Sequence, residues 1–317
     1  MNTIEVALNN HVVARLSDHG VIKVEGDDAQ IFLHNQFTND LKQGVTDANS
    51  QLSAYCSPKG RILALFRIFK QGNAYYMVMP GAAIEATLKR LRMFVLMSKV
   101  TLTDASSEIA CLGFSGSESE EKIKAVLGGA PEHVDEVYCA GSISIIRVPG
   151  PLPRFEIVAP LTEIKKLQTT LGEKFTTASH HVWQLLDILA GIPAILAANV
   201  DAFVPQMVNL QAVNGLSFKK GCYPGQEIVA RMQYLGKLKR RMYLLQSNTQ
   251  NIPQPGDAIF TAGDHKTGIV VTAQASDNGI VLLAVVEIAK AEGTSLHLDN
   301  ACGPKLEIQA LPYAVDH

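Results

Sequence analysis

Residues 218–227, Phe-Lys-Lys-Gly-Cys-Tyr-Pro-Gly-Gln-Glu, gather more chemically pointed side chains than any other stretch of this 317-residue chain. Two lysines lead into Cys222, and Gly221 and Gly225 flank it. Pro presets φ for the first corner of a type II turn and Gly supplies the positive φ of the second. The segment is therefore expected to turn sharply at Tyr223-Pro224-Gly225, with Cys222 at the entrance. A loop thiol beside Lys219 and Lys220 could have its thiolate favoured by neighbouring positive charge. A free cysteine can equally be buried as a small apolar side chain. Gln226 and Glu227 open a helical run, with the acid near the end where the helix dipole favours it.

Other constellations carry two readings each. Residues 219–241 hold seven basic side chains against one acid, Glu227. That is either an anion site for a polyglutamyl tail, a phosphate or RNA, or a solvated edge where cations discourage strand pairing. Trp183, the one tryptophan, suits stacking on a flat heterocycle or a place in the core. Asn39 and Asp40 follow a helical segment and either line a cleft or cap a helix. Lys59-Gly60-Arg61 is an anion-binding turn or a plain hairpin. No nucleophile elbow, P-loop, G-x-G-x-x-G or H-E-x-x-H motif occurs, and the adjacent pair His180-His181 does not put two ligands on one helix face.

The Lys-Gly-Cys-Tyr-Pro-Gly-Gln-Glu run resembles the signature of the YgfZ family of folate-binding proteins, linked to tRNA modification and iron–sulfur maintenance and related to the glycine-cleavage aminomethyltransferase (T-protein). Asn35-Gln36-Phe37-Thr38-Asn39-Asp40, Tyr55 to Arg61, Pro205 to Leu210 and the closing Leu311-Pro312-Tyr313 are similar to that family's other elements, in the expected order. The resemblance implies two T-protein-like α+β lobes followed by a small C-terminal β-barrel, with a central cleft. It implies a tetrahydrofolate-type ligand, iron–sulfur enzymes or assembly proteins as partners, and at most an indirect or weak link to tRNA. Cys222 would act at the cleft's rim as nucleophile, redox group or transient ligand, tuned by Lys220 and Tyr223. Trp183, Asn39, Asp40, Lys59, Gln226 and Arg231 are the candidate ligand contacts. In the aminomethyltransferases acidic residues, one of them catalytic, stand where this chain has Ala64 and Leu65, so methylene transfer on folate is the second-ranked reading. Leu189 stands where a folate-anchoring glutamate is expected, and His19 where some relatives carry a second tryptophan. A pterin's paired N–H donors want a carboxylate, so the loss at Leu189 is expected to weaken folate binding.

The elements that must position these residues follow from composition and periodicity. Apolar residues make up 47% and charged ones 18%, enough for a full core and against disorder. Net charge is −2, which argues against a surface coated in basic residues. The five cysteines are scattered without a C-x-x-C pair, neither a disulfide framework nor a zinc spacing. With no signal peptide or apolar span of membrane length visible, a cytoplasmic protein with reduced thiols and no membrane contact is expected. A helix is expected over residues 29–37, strands over 51–56, 61–69 and 74–79, and a helix over 82–97. Strands near 109–114, 142–148 and 155–158, then helices over 161–171 and 181–190, repeat that grammar in a second lobe. From residue 241 short strands separated by Gly, Pro, Asn and Asp suggest the barrel. The expected division is 1–240, two lobes that can interleave, and 241–317.

Overall fold

A computed structural model describes residue 8, residues 10–172 and residues 174–315. The chain runs β1 (Val12–Arg15), β2 (His19–Glu25), α1 (Ala29–Gln36), α2 (Leu41–Gly44), β3 (Gln51–Cys56), β4 (Ile62–Gln71), β5 (Ala74–Pro80), α3 (Ile84–Arg92), β6 (Thr101–Asp104) and β7 (Ile109–Ser115). It continues through α4 (Ser119–Leu127), β8 (Val137–Ala140), β9 (Ile143–Val148), β10 (Arg154–Pro160), α5 (Leu161–Gly172), β11 (Thr176–Ala178), α6 (His180–Leu189) and α7 (Gln226–Tyr234). The last part is β12 (Arg240–Ser247), β13 (Ala258–Thr261), β14 (Lys266–Ser276), β15 (Gly279–Glu287), α8 (Ile288–Ala291), β16 (Leu296–Leu298) and β17 (Lys305–Gln309).

Two sheets share one topology. The first has the order β3-β4-β5-β2-β6 and the second β8-β9-β10-β7-β1-β11. In each, a first strand is followed by helical structure, a three-strand meander, a helix and a last strand that returns beside the first. The second sheet differs by one insertion: β1, from the start of the chain, lies antiparallel to β7 and parallel to β11. The chain thus enters the second sheet, builds the whole of the first, and returns, so the two lobes interleave through β1.

Strand alternation sorts side chains to opposite faces. On β3 and β4, Ala54, Cys56 and Leu65 join the central core with Trp183, whereas Tyr55, Ala64 and Phe66 pack with Phe32, Leu33 and Phe37 of the α1 region. The barrel closes as β12-β15-β14-β13-β16-β17. Its wall is buried on both sides: Tyr243 and Leu245 fill the interior, while Met242 and Leu244 face the central core. The expected helix over 82–97 is shorter. It stops at Arg92, whose Nη2 donates to the Leu102 carbonyl at 2.8 Å. Beyond it the chain must turn back to begin β6; residues 93–97 form turns, and Met93, Leu96 and Met97 reach solvent instead of the core.

Candidate functional site

A cavity of about 420 Å³ opens where the two sheets, α6 and the barrel meet. Leu65 and Arg67 of β4, Glu156 of β10, Trp183 and Asp187 of α6 and Gln274 of β14 contribute to its walls. Trp183 and Asp187 are four residues apart and so share a helix face. Leu189 lies off that face and outside the lining. Trp183 is 3% exposed. Its ring lies on Gly113 of β7, where a Cβ would come within 2.3 Å of the indole. From β10, fully buried Arg154 sets its guanidinium carbon 4.0 Å from the ring centroid. The same guanidinium donates from Nη2 to Asp187 Oδ1 at 2.6 Å.

Glu156 lies two residues beyond Arg154, on the same face of the sheet. Its Oε1 is buried and has no partner among the described residues. Burial pushes its carboxyl pKa up, against the pull of the charges of His19, Arg67 and Arg154. His19 Nδ1 lies 3.1 Å from Asp18 Oδ1. Burial alone would lower the imidazole's pKa, but the Asp18 bond and the charges of Glu156, Asp18 and Asp187 outweigh it and raise the pKa. Burial also opposes ionisation of Asp18, yet the His19 contact and a 2.7 Å hydrogen bond from Gln184 Nε2 bring it down to about 2. An imidazole ringed by three carboxyls and bordered by an indole suits a flat, polar heterocycle. A pterin presents adjacent N–H donors, and Glu156 Oε1 is the acceptor such an edge needs. On that count the residues present fit a tetrahydrofolate-type group.

The cysteine loop forms a second place. Gly225 has φ 81 and caps α7, as the turn at Tyr223-Pro224-Gly225 requires. It packs on the turn at residues 57–60: a Cβ on Gly225 would meet the Ser57 carbonyl oxygen at 2.4 Å and Gly60 Cα at 2.6 Å. Two of the sequence elements singled out above are therefore pressed together through their glycines. Cys222 is exposed. Lys220 is buried, and its Nζ donates to the carbonyls of His34 and Phe37 at the C-terminal end of α1. Carbonyls there lack an intrahelical partner, and a cation complements the dipole. Burial draws the Lys220 pKa down to about 8, offset in part by Asp40 and Cys222. Its ammonium also lies 4.9 Å from the Tyr223 ring centroid. Tyr223 is itself buried in the central core, and burial raises its pKa strongly. Behind the loop, Gln206 Nε2 donates to the Val229 carbonyl at 2.7 Å and Asn209 Nδ2 to the Met242 carbonyl at 3.0 Å. The Pro205 to Leu210 element thereby ties α7 to the barrel.

The expectation of one cleft with Cys222 at its rim needs correcting. No residue between Leu196 and Ile252 lines the cavity, because the loop is held against α1 and the 57–60 turn. Of the candidate contacts, only Trp183 reaches it. Asn39 Nδ2 donates to the Leu52 and Asn214 carbonyls, and Asp40 caps α2 by accepting from the Lys42 and Gln43 amides. Lys59 lies exposed on its turn, and Gln226 and Arg231 lie on α7 beside Cys222. Lys220 hydrogen-bonds a helix end, with Cys222 still within electrostatic reach of its ammonium. Leu189 brings no carboxylate to the cavity, and the carboxylates that do line it are those of Asp18, Glu156 and Asp187. Sequence reasoning passed over Glu156, Asp187 and Arg154. The signal was Arg154-Phe155-Glu156, two charges at strand alternation inside an apolar strand, since charged groups are rarely fully buried without a purpose.

No family model matches the chain. It is 33% identical to the tRNA-modifying protein YgfZ of Colwellia psychrerythraea over 95% of this chain and 92% of that protein. It is 29% identical to the protein of the same name from Klebsiella pneumoniae, with the same coverage of both. Its fold is that of the glycine cleavage system aminomethyltransferase T from Bartonella henselae, with a TM-score of 0.75, 17% identity, and coverage of 96% of this chain and 86% of that one. With a third of its residues identical to such a relative over nearly the whole of both chains, and with the aminomethyltransferase fold, the chain belongs to the YgfZ family.

Proposed function

We propose that this protein binds a tetrahydrofolate-type ligand in the cavity and, through Cys222, supports the assembly or repair of iron–sulfur enzymes in the cytoplasm, those that modify tRNA among them. The observation that carries the ligand is Glu156 Oε1, buried without a hydrogen-bond partner among the described residues, in the cavity that Trp183 also lines. Glu156 would accept from the pterin edge, His19 would hold a proton facing it, and Trp183 would border the ring. When bound, a reduced folate supplies one-carbon or reducing chemistry. Methylene transfer in the manner of the aminomethyltransferases is less well supported, because Leu65, one of the two positions where those enzymes are acidic, brings only an isobutyl group from β4 to the cavity wall. The tRNA-modifying names of the relatives support the link to tRNA modification, and the exposed position of Cys222 leaves its thiol accessible to a partner.

The test is a titration of tetrahydrofolate followed by Trp183 fluorescence, with Trp183→Phe as the inner-filter control. Saturable quenching that Glu156→Gln weakens is the expected result. No saturable change would remove the folate reading. The cysteine arm is separate: Cys222→Ala should fold normally and fail to restore iron–sulfur enzyme activity in a strain lacking the gene, and full restoration would end the role of Cys222.

A further inference from the structure

The face that carries Cys222 has a chemistry the cavity does not explain. α7 leaves the loop and folds back, so that Tyr234 at its far end meets Phe218 at the loop's start, with ring centroids 6.4 Å apart. Lys219 and the segment from Tyr234 to Lys239 are thereby brought together. At the near end, Ile228 packs on Gly60, which adds Lys59. Lys59, Lys219, Arg231, Lys237 and Lys239 are all exposed, and none forms an ion pair among the described residues. The other basic groups of the strip are engaged: Lys220 on the end of α1, Arg240 on Glu287 and Arg241 on Tyr243. Tyr234 is 69% and Leu235 83% exposed beside these cations.

We propose that this face binds single-stranded nucleic acid. Five cations without ion pairs among the described residues, set against one exposed acid, Glu227, in a chain of net charge −2, give this region a basic surface for phosphates, whose neutralisation drives such binding. An exposed aromatic ring set within that surface is the platform on which an unpaired base stacks. A duplex groove calls for a projecting helix or ribbon that inserts, whereas α7 lies against the protein through buried Val229 and the Gln206 bond. A stable protein interface calls for a broader apolar centre than Ile228, Tyr234 and Leu235 provide. Bound in this way, the strand would pass beside the exposed thiol of Cys222. The inference stands independently of the cavity's ligand.

Fluorescence anisotropy of a labelled single-stranded RNA oligonucleotide, with the full chain, is the test. Saturable binding is expected at low salt. Five neutralised phosphates at about 0.7 each give a log–log salt slope near −3.5, so tripling the salt weakens binding roughly fifty-fold. Lys219→Glu/Lys237→Glu/Lys239→Glu should lower affinity at least tenfold and flatten the slope. The equal charge change Lys165→Glu/Lys174→Glu/Lys305→Glu, at exposed positions elsewhere, should cost under threefold. Tyr234→Ala should weaken the single strand about tenfold and spare the residual binding of the same sequence as a duplex. The proposal is overturned if the RNA does not bind saturably at low salt, which would hand the face to an acidic protein. It is equally overturned if the control triple loses as much as the test triple, or if Tyr234→Ala changes nothing and duplex binds as tightly as single strand.

Discussion

Arg154 and Trp183 form a buried pair: the guanidinium carbon lies 4.0 Å from the indole centroid while Asp187, one helical turn beyond the tryptophan, holds the same guanidinium at 2.6 Å. The arginine is wholly buried and its Nε and Nη1 have no hydrogen-bond partner among the described residues, so Asp187 is its one hydrogen-bonded counter-charge among them. Asp187→Asn keeps the shape and removes the counter-charge. Arg154 is wholly buried but Asp187 is 32% exposed, so solvent tempers the penalty of a fully buried pair and the expected loss is about 1–3 kcal/mol. Urea unfolding should show a loss of that order, with a shifted Trp183 emission maximum in the folded state. An unchanged midpoint would mean that the aspartate is not the partner that matters.

Glu156→Gln should separate stability from binding. The folded pKa of Glu156 is raised by burial, so the wild-type fold binds that proton more tightly than the unfolded chain. Its contribution to stability therefore falls as pH rises from 4.5 through the folded value. A neutral amide escapes that loss. At pH 7 the variant should unfold at no lower urea concentration than wild type while binding tetrahydrofolate about ten- to a hundredfold more weakly, the cost of a charge-assisted hydrogen bond. A variant that is less stable yet binds normally would assign Glu156 to the fold alone.

How much of this was legible in the sequence depends on whether the signal was local. Tyr223-Pro224-Gly225 dictates its own turn, and Gly225 takes the positive φ expected of it. The strands of the barrel follow from short apolar runs broken by Gly, Pro and Asp, and the repeated strand–helix grammar foretold two lobes of one topology. The insertion of β1 between β7 and β11 was not legible, because a four-residue strand carries no record of its partners. Nor was the separation of Cys222 from the cavity, which depends on where Lys220 points. A lysine beside a cysteine reads as a thiolate partner until the unpaired carbonyls at the end of α1, far off in sequence, are seen to claim it. Nor were the cavity's carboxylates legible from Leu189: a missing carboxylate at one position says nothing of those that Glu156 brings from β10 and Asp187 from the adjoining turn of α6.

His19 gives the fold a slope with pH. Its folded pKa is raised above 6.5, with Asp18, Glu156 and Asp187 facing it. Such a group stabilises the fold fully below 6.5 and loses that contribution as pH rises through the folded value. Wild type should therefore lose stability on going from pH 6 to pH 9, and His19→Gln should lose less over the same interval. Urea midpoints at four pH values for both proteins decide it. Parallel curves would show that the imidazole is not held protonated by its carboxylate neighbours.

Lys220→Met tests the idea that the cysteine loop is moored and not tuned. Methionine keeps the length and apolar stem but leaves the His34 and Phe37 carbonyls without their donor. A buried polar group left unpaired costs about 1–3 kcal/mol, so a loss of roughly 2–4 kcal/mol is expected for the two, partly shared with solvent. The damage should be local. Amide hydrogen exchange should quicken at residues 34–38 and 217–226, while tetrahydrofolate binding, which uses none of these residues, stays as in wild type. Function that depends on Cys222 should fall along with the loop's protection. If exchange and stability are unchanged but Cys222 function is lost, the ammonium acts on the thiol directly and the mooring is incidental; if folate binding falls as well, the loop and the cavity are coupled through the core that Tyr223 shares with Trp183.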